Sequence, residues 1–203
     1  MTKYKILEVS IDLFSKYGYD GVSIRQIAGK VGIKESSIYN HYTNKQAILN
    51  TILNYYIDEM LSDDIPLTQA DLNLNNGFDY FYKMGSNAYL SKLNNEKMMK
   101  ITRLLFIEPY HNEEIKNFVK KSIIQAPVKG WIELFNLMKA KNIIKRDCDV
   151  NQLAESFFYY GMFLLYEHFL INYPEDDKTF LKEFNKKTQN HAKIIYESVK
   201  LGV

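Results

Sequence analysis

The stretch VSIRQIAGKVGIKESSIYNHYTNK, residues 22–45, predicts two short helices joined by a tight turn. Ser23 and Gln26 have the spacing of a capping box, so a helix is expected to begin directly after Ser23. Gly32 permits the left-handed backbone conformation with which such a helix ends. A further helix is expected over residues 35–42, and this arrangement is the sequence form of a helix-turn-helix.

The regions on both sides of this stretch are also predicted to be helical. Small and apolar residues at helical spacing indicate a helix over residues 2–17, closed by Gly18. Asn44 is expected to cap a helix that reaches about Leu61, and a connecting loop is expected over 62–76. The remaining periodic segments are 77–93, 95–107, 111–141, 149–172 and 176–200, and no strand pattern interrupts them.

Proline and composition refine this all-α prediction. Pro127 removes a backbone donor, so it should kink or split the long 111–141 segment. The aromatic share of 14% must line a core, a pocket or an interface, and composition does not separate these alternatives. Cys148 is the single cysteine, so we expect no internal disulfide, no cysteine-based metal site and no cofactor.

The charge distribution points to a DNA-facing N-terminal end, and hydropathy bears on contact with a membrane. Residues 1–50 hold seven Lys and Arg against four Asp and Glu, a local net charge of +3, while the whole chain carries +2. The most apolar segment, 157–171, is shorter than the roughly 20 residues that cross a bilayer. No secretion signal is recognisable, so we expect a cytoplasmic protein that does not contact the membrane.

The exposed side of the motif's last helix is predicted to read DNA. Ser36, Ser37, Asn40 and His41 can form hydrogen bonds with base edges in the major groove. Cationic and phenolic groups around them suit phosphates. A pair of capped helices that serves only as a packing unit remains the alternative. The candidate DNA-binding residues are Arg25, Lys34, Ser36, Ser37, Tyr39, Asn40, His41, Tyr42 and Lys45.

Five segments together resemble the DNA-binding signature of the TetR family of bacterial transcriptional regulators. They are FSKYGY (14–19), VSIRQIA (22–28), VGI (31–33), IYNHY (38–42) and NK (44–45). The resemblance covers about the first 50 residues. It implies a three-helix DNA-binding domain, residues 1–47, followed by a larger helical domain for ligand binding and dimerisation, residues 48–203. The acidic Glu35 and the apolar Val22 depart from the family pattern.

The resemblance further implies a homodimer that binds palindromic operator DNA, most often as a repressor, and is released by a small hydrophobic or aromatic molecule. The last two helices would form the dimer. Glu108, Glu167 and His168 could anchor a ligand, or could instead be exposed or salt-bridged. The candidate ligand-binding residues are Phe78, Tyr82, Tyr89, Phe106, Trp131, Phe158 and Met162, and core packing is the alternative for each.

Two other functions can be compared with this hypothesis. The sequence contains no zincin, nucleophile-elbow or phosphate-loop motif, and its four histidines are scattered, so we do not expect an enzyme. A DNA-bound adaptor controlled by a protein partner, rather than by a small molecule, keeps the same fold. The effector, the operator and the sense of regulation are not encoded in any recognisable motif.

Overall fold

The computed structural model describes residues 2–62, 74, 76–173 and 176–201. Within these ranges the structure is helical, and its β pairing is limited to an isolated antiparallel bridge between Ile144 and Lys200. The prediction of an all-α protein is confirmed. The described helices, in chain order, are α1 (Thr2–Tyr17), α2 (Ile24–Val31), α3 (Glu35–Tyr39), α4 (Lys45–Leu61), α5 (Phe78–Leu93), α6 (Glu96–Ile107), α7 (Glu113–Phe118), α8 (Ala126–Ala140), α9 (Val150–Tyr166) and α10 (Asp177–Val199).

Local signals set the ends of the first two helices, as predicted. α1 ends before Gly18, whose φ is 78°. At the start of α2, the Ser23 hydroxyl accepts the Gln26 N–H at 3.2 Å, and Gln26 Oε1 accepts the Ser23 N–H at 2.7 Å. This reciprocal pair satisfies two donors that the helix cannot satisfy itself. Gly32, with φ at 83°, ends α2 in the left-handed conformation.

The last helix of the motif is shorter than predicted. α3 ends at Tyr39 rather than near Tyr42. The N–H groups of His41 and Tyr42 both donate to the Ile38 carbonyl, at 2.9 and 3.0 Å, and this turn ends the helix. Tyr42 consequently lies inside the protein with 4% of its surface exposed.

The predicted long helix over 111–141 is divided into three parts. α7 is followed by a π-helical segment, Val119–Gln125, and then by α8. Pro127 lies in the first turn of α8, directly after the π-helical segment, so its missing N–H falls where the regular α-helical pattern is interrupted. The predicted split at this proline is confirmed. A second π-helical segment, Glu167–Ile171, follows α9.

The chain forms two compact units, each with its own core. The first unit comprises Met1–Ser62 and Asn95–Val119, and the second comprises Asp63–Asn94 and Lys120–Val203. Ile6, Phe14, Ile27, Ile38 and Ile48 are fully buried in the first unit. The second unit packs around Phe78, Phe81, Phe135, Met138 and Phe157.

The predicted boundary between the DNA-binding domain and the larger helical domain, at residues 47 and 48, is functional. It is not the same boundary as the one between the compact units, and it stays a prediction. The predicted loop over 62–76 lies outside the described residues except at positions 62, 74 and 76. Among the residues that the structure describes, no helix combines the length and the apolar character needed to span a membrane.

Candidate nucleic-acid interface

Apolar residues on the inner sides of α2 and α3 hold the helix-turn-helix together. Ile27 and Ile38 are completely buried. In the turn between the helices, the N–H groups of Gly32 and Ile33 both donate to the Ala28 carbonyl, at 2.9 and 3.0 Å. The turn is therefore closed by backbone hydrogen bonds, and α3 is anchored through a single buried side chain.

The outer side of α3 presents polar groups to solvent. Ser36, Asn40 and His41 are exposed, Ser37 is half-buried, and Tyr39 has 50% of its surface exposed. Hydroxyl, amide and imidazole groups can donate to or accept from base edges, and an asparagine can pair with adenine through two hydrogen bonds. This surface has the chemistry that a recognition helix needs.

Two cations lie on the same motif. Arg25, in the first turn of α2, and Lys34, directly before α3, are both exposed. Lys34 occupies the N-cap position of α3, but its side chain makes no capping hydrogen bond there. Guanidinium and ammonium groups in such positions suit phosphate oxygens on the DNA backbone.

Tyr42 has an internal position instead of an exposed one. Its hydroxyl donates to the Lys3 carbonyl at 3.4 Å, and the Lys3 ammonium lies 5.5 Å from the centre of its ring. Burial raises the pKa of the Tyr42 hydroxyl above its usual value of 10.0. The residue thus ties the end of the recognition segment to the start of α1.

Lys45 also bonds within the protein. Its ammonium donates to the carbonyls of Tyr19 and Val22, at 2.8 and 2.9 Å, and lies 4.1 Å from the centre of the Tyr19 ring. Burial lowers the pKa of this ammonium, and the carboxylates of Asp20 and Glu108 oppose the shift. Lys45 therefore fastens α4 to the segment between α1 and α2.

Lys5 also supports the motif, and this role was not predicted from the sequence. Lys5 on α1 donates to the Val31 carbonyl at 2.8 Å, at the end of α2 where backbone carbonyls lack helical partners. Residues 5 and 31 are far apart in sequence, so no short-range pattern could have indicated this bond. Its effect is to fix the end of α2 directly before the turn.

The structure separates the seven candidate ligand-binding residues. In the second unit, Phe78, Tyr82 and Trp131 surround Phe157, with ring centres 4.6–5.9 Å from it. These rings fill the space between one another, as the core-packing alternative expects. Elsewhere in that unit Tyr89 pairs with Phe184 and Phe158 with Tyr159, and Met162 is half-buried, whereas Phe106 belongs to the first unit.

A cavity of about 390 Å³ lies elsewhere in the second unit, between the end of α9 and the start of α10. Its wall includes Leu164, Phe180 and Phe184, and none of the seven candidates is part of it. Two of the three predicted polar anchors, Glu167 and His168, do line it. The full lining is Leu164, Glu167, His168, Asn172, Asp176, Thr179, Phe180, Glu183, Phe184 and Lys187.

His168 is the most buried polar group in this wall, with 1% of its surface exposed. Its Nε2 lies 2.8 Å from Asp177 Oδ1, and its ring stacks on Phe180 with centres 3.8 Å apart. The carboxylate can only accept, so the Nε2 atom carries the proton. His168 is therefore buried and paired with Asp177, and the exposed alternative does not match its position.

The geometry of α2 and α3 defines a helix-turn-helix, and this part of the chain resembles a family of known proteins. The family model described as bacterial regulatory proteins of the TetR family matches residues 6–52. Over these residues the chain is similar to the TetR family.

Known proteins resemble this chain in part of its sequence and in its fold. The chain is 43% identical over 63 residues to the negative transcriptional regulator IcaR of the biofilm operon in Staphylococcus epidermidis, covering 29% of this chain and 34% of IcaR. It is 27% identical over 74 residues to the class A tetracycline repressor from transposon 1721 in Escherichia coli, covering 35% and 34% respectively. In both cases the match spans about a third of the relative's length.

The likeness in fold extends over nearly the whole chain. The crystal structure of the MbdR regulator from Azoarcus sp. CIB superposes with a TM-score of 0.69 at 19% identity, covering 94% of this chain and 98% of that one. Such a low identity establishes the architecture alone. The named relatives are regulators of transcription rather than enzymes.

We predict that Lys45→Met lowers the stability of the first unit by about 1–3 kcal/mol, because the ammonium no longer donates to the Tyr19 and Val22 carbonyls. The matched control is Lys34→Met, which changes an exposed lysine of the same motif and should stay within about 0.5 kcal/mol of the parent. Urea unfolding followed by circular dichroism measures both. Equal stability of the two variants would contradict the internal role of Lys45.

Proposed function

We propose that this protein is a dimeric transcriptional regulator that binds operator DNA through α3 and is controlled by a small hydrophobic or aromatic effector. The observation that carries the proposal is the exposed polar side of α3, held outward by the buried Ile38. The similarity of residues 6–52 to the TetR family supports it. Binding to the bacterial chromosome would place the protein in the cytoplasm.

Different residues would serve the two parts of DNA recognition. Ser36, Ser37 and Asn40 would read base edges, because their short polar side chains lie on the outer side of α3. Tyr39 and His41, exposed beside them, would bind bases or phosphates. Arg25 and Lys34 would bind phosphates, whereas Tyr42 and Lys45 would contribute mainly by holding the motif in shape.

Dimerisation would place two copies of α3 in successive major grooves, about 34–36 Å apart. The second unit offers a surface for it. Along α9 and the π-helical segment after it, Tyr159, Phe163, Tyr166 and Leu170 form a stripe at helical spacing, each with 40–56% of its surface exposed. A second copy of the chain, packed along this stripe, would remove these apolar groups from water.

The sense of regulation would be repression. Both sequence relatives are named as negative regulators, one a repressor and the other a negative transcriptional regulator. A protein bound at an operator blocks transcription by occupancy, and it needs no surface beyond the DNA-binding and dimer surfaces. An effector would relieve repression by favouring an arrangement in which the two copies of α3 no longer match the operator.

The effector would bind in the second unit. The cavity of about 390 Å³ falls in the size range of small-molecule sites, and Leu164, Phe180 and Phe184 give it an apolar wall. One relative is named as a tetracycline repressor, and a name taken from a small molecule agrees with such a site. Binding at Phe78, Tyr82 or Trp131 would require those packed rings to separate.

An adaptor controlled by a protein partner remains the second candidate function. It would use the same α3 surface for DNA and the exposed apolar stripe of α9 for the partner. In the first function a small molecule changes the affinity for the operator, and in the second a protein partner changes it.

We expect Asn40→Ala to reduce discrimination between operator and unrelated DNA by about 1–3 kcal/mol, roughly 5- to 150-fold, because a base contact is lost. Lys34→Ala should weaken binding to all sequences and lower the slope of log affinity against log salt by about 0.9. The operator is first selected from random palindromes, and affinities are measured by fluorescence anisotropy across a salt series. Tyr110→Ala, at a residue 92% exposed on another surface, is the control. Absence of any sequence preference in the parent would overturn the DNA-binding proposal.

Phe163→Glu is expected to shift the protein from dimer to monomer, because a charge placed in the apolar stripe cannot be buried without a partner. Tyr80→Glu places the same charge on α5 at a residue with similar exposure and should leave the dimer intact. Sedimentation equilibrium gives the association constants. Dimers of equal strength in the two variants would locate the interface elsewhere.

An aromatic compound that releases labelled operator from the parent should fail to do so in Thr179→Trp, where added bulk at the cavity rim blocks entry. Lys178→Trp introduces the same side chain at the preceding exposed position, which does not line the cavity, and should still respond. Release is followed by anisotropy over a panel of small aromatic molecules. Equal response in both variants would exclude this cavity, and no response in the parent to any compound would favour the adaptor.

A further inference from the structure

Within the first unit, one buried carboxyl group joins two chain corners. Glu108 follows α6 and has 6% of its surface exposed. Its backbone carbonyl accepts the N–H groups of His111 and Asn112, both at 2.9 Å, which fixes it at the corner between α6 and α7. Its carboxyl group lies against the corner between α1 and α2, at Gly18 and the backbone of Tyr19. The second corner leads directly into the helix-turn-helix.

The contact between these corners is close at Gly18. A Cβ atom at Gly18 would lie 2.5 Å from Glu108 Oε1, a distance that real Cβ atoms do not adopt. Gly18 also has a φ of 78°, which disfavours any side chain. Glu108 and the α1–α2 corner are therefore matched to each other in shape.

The charge on this carboxyl group is poorly compensated. Glu108 Oε2 is buried and has no hydrogen-bond partner among the described residues. The group also follows the C-terminal end of a helix, where a negative charge is unfavourable. Asp20 on the facing corner adds repulsion, while Lys45 on α4 and His111 on its own corner attract it.

We propose that Glu108 is a proton-responsive coupling residue, whose ionisation weakens the hold of the α6–α7 corner on the corner that precedes the helix-turn-helix. Its consequence for operator binding rests on the proposed DNA-binding function. The coupling itself does not, since it is a property of the first unit alone.

The direction of the effect follows from the pKa of Glu108. Burial raises this pKa above the ordinary value of 4.5, and the Tyr19 N–H only partly offsets the rise. Above the raised pKa, the ionised group destabilises the contact. As the pH falls from the raised pKa towards 4.5, the contact becomes stronger. The equilibrium constant for opening of the contact decreases by up to about tenfold for each pH unit in this interval.

The test uses the full-length protein without DNA first. The carboxyl carbon of Glu108 is titrated by NMR with ¹³C-labelled glutamate, and its signal is assigned as the one absent from Glu108→Gln. Exchange of the Tyr19 amide hydrogen, corrected for the intrinsic pH dependence of exchange, reports opening of the contact. We expect a midpoint above that of ordinary glutamates, and Tyr19 protection that rises as Glu108 is protonated.

Glu108→Gln keeps the shape of the side chain and should abolish the pH dependence of Tyr19 protection. Glu113→Gln, at an exposed carboxylate on α7 paired with Lys116, should preserve it. An ordinary midpoint for Glu108, or the same pH dependence of Tyr19 protection in the parent and in Glu108→Gln, would overturn the inference.

Operator affinity against pH then shows whether the coupling reaches the DNA. The parent and Glu113→Gln should show a step at the Glu108 midpoint, and Glu108→Gln should lack it. A protein that binds no operator at any pH would defeat the proposed function while the amide exchange still decides the coupling. Specific binding without such a step in the parent would overturn the link from Glu108 to the operator.

Discussion

The burial of Ile38 is the constraint on which the DNA-facing surface depends. α3 has five residues, too few for a helix that is stable by itself in water. It persists because Ile38 is completely enclosed and because backbone bonds at Gly32 and Tyr42 fix its two ends. With one side chain committed inward, the other sides of α3 are left for solvent or a ligand.

Long-range lysine bonds complete this scaffold. Lys5 and Lys45 donate to backbone carbonyls at the end of α2 and on the corner before it. Each ammonium therefore adds a donor to carbonyls at a helix end or in a turn, where helical partners are missing. Positively charged residues in this domain therefore have two uses. Lys5 and Lys45 stabilise the fold, whereas Arg25 and Lys34 remain exposed to solvent, where they can bind phosphates.

Local sequence signals were sufficient for several helix ends in both units. The capping box at Ser23, the glycine at 32 and the proline at 127 each act within a few residues, and each prediction was confirmed. The internal positions of Tyr42 and Lys45 were not predictable in the same way, because their partners lie 39, 26 and 23 residues away. The same limit applied in the second unit. Aromatic periodicity located the helices, but it could not distinguish the filled cluster around Phe157 from the cavity near His168.

The π-helical segment Glu167–Ile171 alters the helical phase at the end of α9. Its wider turn lets two consecutive residues, His168 and Phe169, point inward, and the next two, Leu170 and Ile171, point outward. In a regular α-helix each residue rotates by about 100°, and the wider π-helical turn rotates each residue by less, so it shifts the phase of the residues that follow. Removing one residue here would restore the α-helical pitch and rotate the residues that follow by about the same angle. The cavity wall and the outer apolar stripe are therefore both tied to the length of this segment, and a deletion at this point would alter the two surfaces together.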